Sequence, residues 1–204
     1  MSAIVITPAY ANTHPSLDRV MSAAGLPWLR VHQHSDLPRI RSVLIEQGLA
    51  SGAERLILVD ADTIPTAQAL RELAESAEVT PSRALWGMYP LREGDRWSVN
   101  PEDPAEASQA VDAGRRFPIL TGGLGLCAIH RDSLERLGAT LPAIAEDTGA
   151  TWRPFCVPLV RGARYYADDG SLCLRLTESG TELWCDPRLR AGHAATTILT
   201  APRG

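Results

Sequence analysis

Residues 56–62 read Leu56-Ile57-Leu58-Val59-Asp60-Ala61-Asp62, four apolar residues followed by two carboxylates two positions apart. A short unbroken apolar run bounded by polar residues marks a strand buried on both faces, as in a parallel sheet covered by helices. In an open α/β sheet, ligands gather beyond the carboxyl ends of the strands. A strand that runs straight into Asp60 and Asp62 therefore delivers two carboxylates to a ligand site. Such oxygens suit one hard divalent cation, Mg²⁺ or Mn²⁺, with positions left over for phosphate oxygens. Asp-x-Asp also arises by chance in a chain with 24 acidic residues, and a capping aspartate in a solvated turn is the plain alternative. The apolar residues leading in favour the ligand site.

Outward from this strand, strand and helix patterns alternate, which predicts an α/β fold with a mostly parallel central sheet flanked by helices. Ala3–Thr7 reads as a buried strand, Pro15 as the first position of a helix closed by Gly25, and Trp28–Val31 as a second strand. Ile40, Val43, Leu44 and Leu49 give a helical stripe from Pro38 that ends near Gly52. Thr66–Glu78 reads as an amphipathic helix and Ala84–Gly87 as a strand. Residues 88–116, rich in Pro, Asp, Glu and Gly, read as an irregular loop or hairpin, a functional lip over one end of the sheet. Two apolar runs follow, Phe117–Leu120 and Leu124–Ile129, split by Gly122-Gly123. A short helix over Leu134–Leu137 stops at Gly138, and 139–155 reads as loop. Asp168–Glu178 reads as a helix and Glu182–Cys185 as a last strand, with His193 after it.

The chain has 204 residues, 45% apolar and 22% charged, the size and make-up of one globular domain. All 20 of its cationic residues are arginine. The absence of lysine excludes a G-K-[ST] phosphate loop, a pyridoxal-phosphate Schiff base and a lysine nucleophile. It also sets back a phosphotransferase of the haloacid-dehalogenase type, whose Asp-x-Asp is followed by a variable residue and then Thr or Val. Here Thr63-Ile64-Pro65 follows. A net charge of -4 opposes a nucleic-acid coat protein, although Arg115, Arg116, Arg161 and Arg164 leave room for a local basic groove. Cys127, Cys156, Cys173 and Cys185 show no C-x-x-C spacing and are expected as free thiols. No leader pattern or membrane-length apolar run is present in MSAIVITPAY or beyond, so the expectation is a cytoplasmic protein without a membrane span. Asp168-Asp169 sits where carboxylates favour a helix amino end, a placement compatible with a general base toward a hydroxyl. His193, beside Gly192 after the last strand, reads either as a metal ligand or as a surface histidine.

Four segments in order resemble the GT-A glycosyltransferases, which use nucleotide-sugar donors. RIRSVLIEQGLASGAERLILVDADTIP is similar to the family's arginine-bearing helix, strand and Asp-x-Asp; ALWGMYPLRE resembles the next strand and turn. TGGLGLCAIHRDSLERLG is similar to the glycine-rich acceptor-side segment, and YYADDGSLCLRLTESGTELWCDPRLRAGH to the acidic pair, helix, last strand and terminal histidine. The resemblance implies a single GT-A domain over 1–204, with 1–87 the nucleotide-binding half and 88–204 the acceptor-side half. It implies that Asp60 faces the nucleotide and borders the metal, and that Asp62 and His193 bind Mn²⁺ or Mg²⁺. Asp169, with Asp168 beside it, would be the general base of an inverting enzyme. Thr7, Pro8 and Tyr10 would line base and ribose, and Arg39 and Arg41 would contact the nucleotide or its phosphates. Gly122 and Gly123 would admit the sugar or acceptor, and Trp97 would stack on a sugar.

The donor implied is a UDP- or GDP-sugar, and the acceptor a glycan, a protein side chain or a small molecule. Two departures bear on this. Asp168 stands where many inverting members have Glu, and His32-Gln33-His34-Ser35-Asp36 does not match the usual base-recognition segment, which leaves the nucleotide open. Inversion and retention both remain open. Other readings are the same chemistry on a hydroxymethylated base in phage DNA, a non-catalytic sugar-nucleotide binding module, and a nucleotidyltransferase lacking its glycine-rich loop.

Overall fold

The computed structural model describes residues 2–9, 12–31, 36–91 and 96–194. Its centre is a nine-stranded mixed sheet. The strands are β1 (Ala3–Pro8), β2 (Trp28–Val31), β3 (Arg55–Leu58), β4 (Thr63–Pro65), β5 (Arg83–Met88), β6 (Val99–Pro101), β7 (Phe117–Gly122), β8 (Cys127–His130) and, last in the chain, β13 (Glu182–His193). The order is β2-β1-β3-β8-β5-β13-β7-β6, with β4 paired to the far end of β13. Strands β2, β1, β3, β5, β13 and β6 run one way; β8 and β7 run the other. Two small hairpins lie outside the sheet: β9 (Ile144–Ala145) with β10 (Thr151–Trp152), and β11 (Leu159–Arg161) with β12 (Arg164–Tyr166).

The period of two along each strand sorts side chains onto two separate cores. On one face, Ile4, Ile6, Leu56, Leu58, Trp86, Cys127, Ile129 and Cys185 pack together. Covering them are α2 (Leu37–Ala50), α4 (Pro104–Asp112), α5 (Arg131–Gly138) and α6 (Asp168–Glu178). On the other, Val5, Ile57, Val59, Leu85 and Ala128 pack under α1 (Pro15–Ala24) and α3 (Ala67–Glu75). This three-layer arrangement is the reason the strands read as continuous apolar runs. Helix caps follow the sequence signals: Gly25 closes α1 at φ 69°, and the Thr66 hydroxyl accepts from the Ala69 backbone N–H at the start of α3.

Three expectations change. The 88–116 stretch holds strand β6 and helix α4, whose start is fixed by Asp103 accepting from the Ala105 and Glu106 N–H groups ahead of Pro104. The 139–155 stretch contains the β9–β10 hairpin. Strand β13 does not stop at Cys185; it passes Pro187 with a register shift and continues to His193. Among the described residues, no helix is long and apolar enough to cross a membrane.

Candidate active site

The parallel strands β1 and β3 end side by side, and the chain leaves β3 through a tight turn in which the Asp60 carbonyl accepts from the Thr63 N–H at 3.1 Å. From that turn β4 runs back antiparallel on the end of β13, in the register His193 opposite Thr63 and Gly192 opposite Ile64. The Ala194 N–H donates to the Asp62 carbonyl at 2.8 Å. Backbone pairing thus carries His193 to Asp62 across 131 positions of sequence, leaving Nε2 and Oδ2 3.4 Å apart. The imidazole is fixed from behind. Its Nδ1 lies 2.9 Å from the Pro90 carbonyl, and the Tyr89 ring meets it edge-on at 5.7 Å and 83°. Tyr89 is itself held by the Gly125 N–H, which donates to the phenol oxygen at 3.1 Å. In the sequence Tyr89 and Pro90 read only as part of the turn and loop that follow a strand; their service to His193 needs the β13 register to be known.

Asp60 does not join this pair. Its Oδ1 accepts from Arg41 Nη2 at 2.5 Å, while Arg41 Nη1 donates to Asp168 Oδ2. The expected trio of Asp60, Asp62 and His193 is therefore not assembled, and among the described residues no three His, Cys, Asp or Glu side chains cluster as a metal site. The cause is electrostatic: a buried guanidinium on α2 claims the Asp60 carboxylate. Burial alone would lower the Arg41 pKa, but Asp60 and Asp168 outweigh it and hold the group well above its ordinary value. Asp168 and Asp169 occupy the amino end of α6, where the helix dipole favours negative charge. Asp168 is neutralised by Arg41, whereas Asp169 accepts from the Gly170 N–H at 2.6 Å. Burial is the main influence on the Asp169 carboxyl and pushes it above its ordinary value, with the Asp168 charge adding to the effect.

The remaining sequence-derived residues are dispersed among structural contacts. Thr7 is fully buried and its hydroxyl accepts from the Trp28 indole N–H at 2.9 Å; Pro8 is buried too, and Tyr10 lies outside the described residues. Arg39 donates through Nε and Nη2 to Glu146 Oε1, and Arg41 is engaged as above, so in this structure both guanidinium groups are held by carboxylates of the chain. A Cβ at Gly122 would lie 2.4 Å from the Trp86 ring, and one at Gly123 would lie 2.3 Å from the Tyr89 oxygen. Both glycines thus have an internal packing reason. Trp97 is exposed, with the Arg190 guanidinium over its ring at 5.5 Å. Of the arginine clusters, Arg116 pairs with Glu78 and Asp186, and Arg161 with Glu178. All four cysteines are buried free thiols; burial pushes Cys156 and Cys173 up to about 12, which removes them as thiolate nucleophiles. A cavity of about 710 Å³ lies apart from the carboxylates, bounded by Leu120, Tyr166, Leu174, Thr177 and Trp184.

No protein-family model and no curated protein matches this sequence. Solved structures do. The chain is similar to A197 from STIV, with a TM-score of 0.64 and 14% identity over 96% of this chain and 86% of that one. It is also similar to GalNAc-T7, determined with UDP, GalNAc and Mn²⁺, with a TM-score of 0.57 and 13% identity over 95% of this chain and 44% of that one. The chain spans less than half the length of GalNAc-T7. At such identities the likeness speaks for the fold, and the α/β architecture is GT-A-like.

Proposed function

We propose that this protein transfers a sugar from a nucleotide-sugar donor to an acceptor hydroxyl, with Mn²⁺ or Mg²⁺ held by Asp62 and His193. The Asp62–His193 pair carries the reading. A carbonyl oxygen only accepts, so His193 Nδ1 donates its proton to Pro90. Nε2 is left facing the Asp62 carboxylate, 3.4 Å from Oδ2. A carboxylate oxygen and an imidazole nitrogen brought together at the end of a sheet make a donor set that suits a divalent cation. When bound, such an ion supplies positive charge that offsets the developing charge of a leaving diphosphate.

The chain's own groups supply the rest. The Pro90 carbonyl and the Tyr89 ring orient His193, as outer partners orient metal-binding histidines generally. Asp169 takes the proton of the acceptor hydroxyl. Desolvation makes it a stronger base than an exposed aspartate. GalNAc-T7, determined with UDP, GalNAc and Mn²⁺, supports UDP-GalNAc as the first donor to try.

The test is Mn²⁺-dependent hydrolysis of UDP- and GDP-sugars, alongside melting curves with UDP and Mn²⁺. Asp62→Ala and His193→Ala are each expected to lower hydrolysis on the order of 100-fold or more. They should also remove the Mn²⁺-dependent rise in melting temperature. Full hydrolysis in both variants would overturn the metal assignment.

A further inference from the structure

Helix α2 is a polar seam to the second half of the chain. Arg39 reaches Glu146, the Ser42 hydroxyl accepts from the Cys156 N–H at 3.0 Å, and Glu46 takes the Arg153 guanidinium through two contacts of 2.6 Å. Arg41 lies in the middle of this seam and, unlike the Arg39 and Arg153 guanidinium groups, is nearly buried: its side chain is 7% exposed. One flat guanidinium presents its two terminal nitrogens to two carboxylates that come from opposite sides of the site. Asp60 arrives from the end of β3, and Asp168 from the start of α6, 127 residues from Arg41. Among the described residues the buried Nε has no hydrogen-bond partner, while Nη1 and Nη2 donate to the two carboxylates.

We propose that Arg41 is a positioning residue that ties the donor-side carboxylate Asp60 to the acceptor-side carboxylate Asp168 and leaves Asp169 as the base of the acidic pair. The inference rests on the glycosyl-transfer reading for the role of each carboxylate, but the coupling itself stands on the geometry. Without Arg41, Asp60, Asp168 and Asp169 share one partly desolvated corner, with no other cation among the described groups that bear on Asp169. Like charges so placed repel one another. With Arg41, Asp60 and Asp168 are held at a fixed separation, and movement of either is felt by the other through a rigid fork. A lysine carries the charge but not the two-pronged geometry.

The groups that bear on Asp169 are Asp168 and Cys173 on its own helix, Arg41 on α2 and Asp60 beyond β3. Strand β7, packed on α6, brings no titratable side chain, while β12 brings Tyr165, Tyr166 and Arg164, the last stacked on Tyr166. On α5, Arg136 is engaged at the other end of α6 with the Ser179 carbonyl. The test is therefore the carboxyl ¹³C titration of Asp169 by NMR in the full chain, which needs no donor. Arg41→Gln should move the Asp169 midpoint to higher pH, because a cation is lost. Arg41→Lys should move it less in the same direction. Asp168→Asn should move it to lower pH, because a neighbouring anion is lost and Arg41 is freed toward it. The two sides of one ion pair thus give opposite shifts, which a merely structural contact would not produce.

In denaturant unfolding, the Arg41→Lys and Asp168→Asn effects should be non-additive by about tenfold in the folding constant. Should Arg41→Gln not fold, the opposition is read between Arg41→Lys and Asp168→Asn. An unmoved midpoint, shifts in one direction for both partners, or additive stabilities would overturn the coupling. Hydrolysis of UDP-GalNAc by the wild type reports separately: its absence with opposed shifts overturns the transfer reading and leaves the coupling.

Discussion

Asp168 and Asp169 are neighbours on one helix end and yet live in different electrostatic surroundings. Arg41 neutralises the first, while burial raises the carboxyl of the second from the ordinary 3.8. A raised carboxyl has a definite consequence for stability. Below about pH 3.8 the group is protonated in both folded and unfolded chains, and no penalty exists. As pH rises above that value and through the elevated folded one, the unfolded chain releases its proton more readily and the folded state loses ground. Asp169→Asn is therefore expected to raise the melting temperature at pH 7 while abolishing hydrolysis, the usual opposition between a functional site and stability. Melting curves from pH 3 to 8 check this: the gain should fade as pH falls toward 3.5. A gain that persists in acid would show that packing, not ionisation, accounts for it. The two sides of this site differ in legibility. The carboxylates stand in the sequence with their strand and helix, but Glu146 and Asp168, which claim Arg39 and Arg41, are more than a hundred residues away. Nothing local distinguishes an arginine that will meet a phosphate from one that will meet a distant carboxylate.

At the scale of elements, the glycine-rich segment after β7 works as a mould around aromatic rings. A Cβ on Gly125 would come within 2.6 Å of the Thr63 hydroxyl and 2.7 Å of the Tyr89 ring, and Tyr89 backs His193. Gly125→Ala should then cost about 1–3 kcal/mol, as overpacking does. It should also weaken the Mn²⁺-dependent thermal shift, because the ring that rests against His193 must shift. Chemical denaturation and melting with UDP and Mn²⁺ measure both; an unchanged shift would separate Tyr89 from the metal pair. The glycines were visible in the sequence, but their reason was not, since Tyr89 and Trp86 approach them from another strand. Helix α4 and the length of β13 were hidden for a related reason. Asp103-Pro104 has turn composition and is also a helix start, and Pro187 normally ends a strand, whereas here a register shift lets β13 pass it. Had β13 ended at Cys185, His193 would have had no defined place.

For the whole molecule, the decisive fact is that the sheet interleaves the two ends of the chain. β8 enters between β3 and β5, and β13 enters between β5 and β7. A cut after residue 87 therefore does not separate two sheets; it leaves β3 and β5 without the strand that joins them. Contacts of such sequence separation carry a loop-closure cost that is recovered only when the distant strands arrive, so the sheet forms late and as a unit. The candidate site depends on the same event, because Asp62 comes from the first half and His193 from the end of β13. A fragment of residues 1–87 is expected to show no cooperative melting transition and no response to UDP with Mn²⁺, and a fragment of residues 88–204 likewise. Mixed after refolding together, they should regain both properties at once, since inserting β8 and β13 closes the sheet and seats His193 beside Asp62. Circular dichroism melts of the separate and mixed fragments decide the matter. A cooperative transition in 1–87 alone would mean that β1, β2 and β3 with α1 and α2 fold without the returning strands, and that the metal pair is added to a finished half rather than built with the sheet.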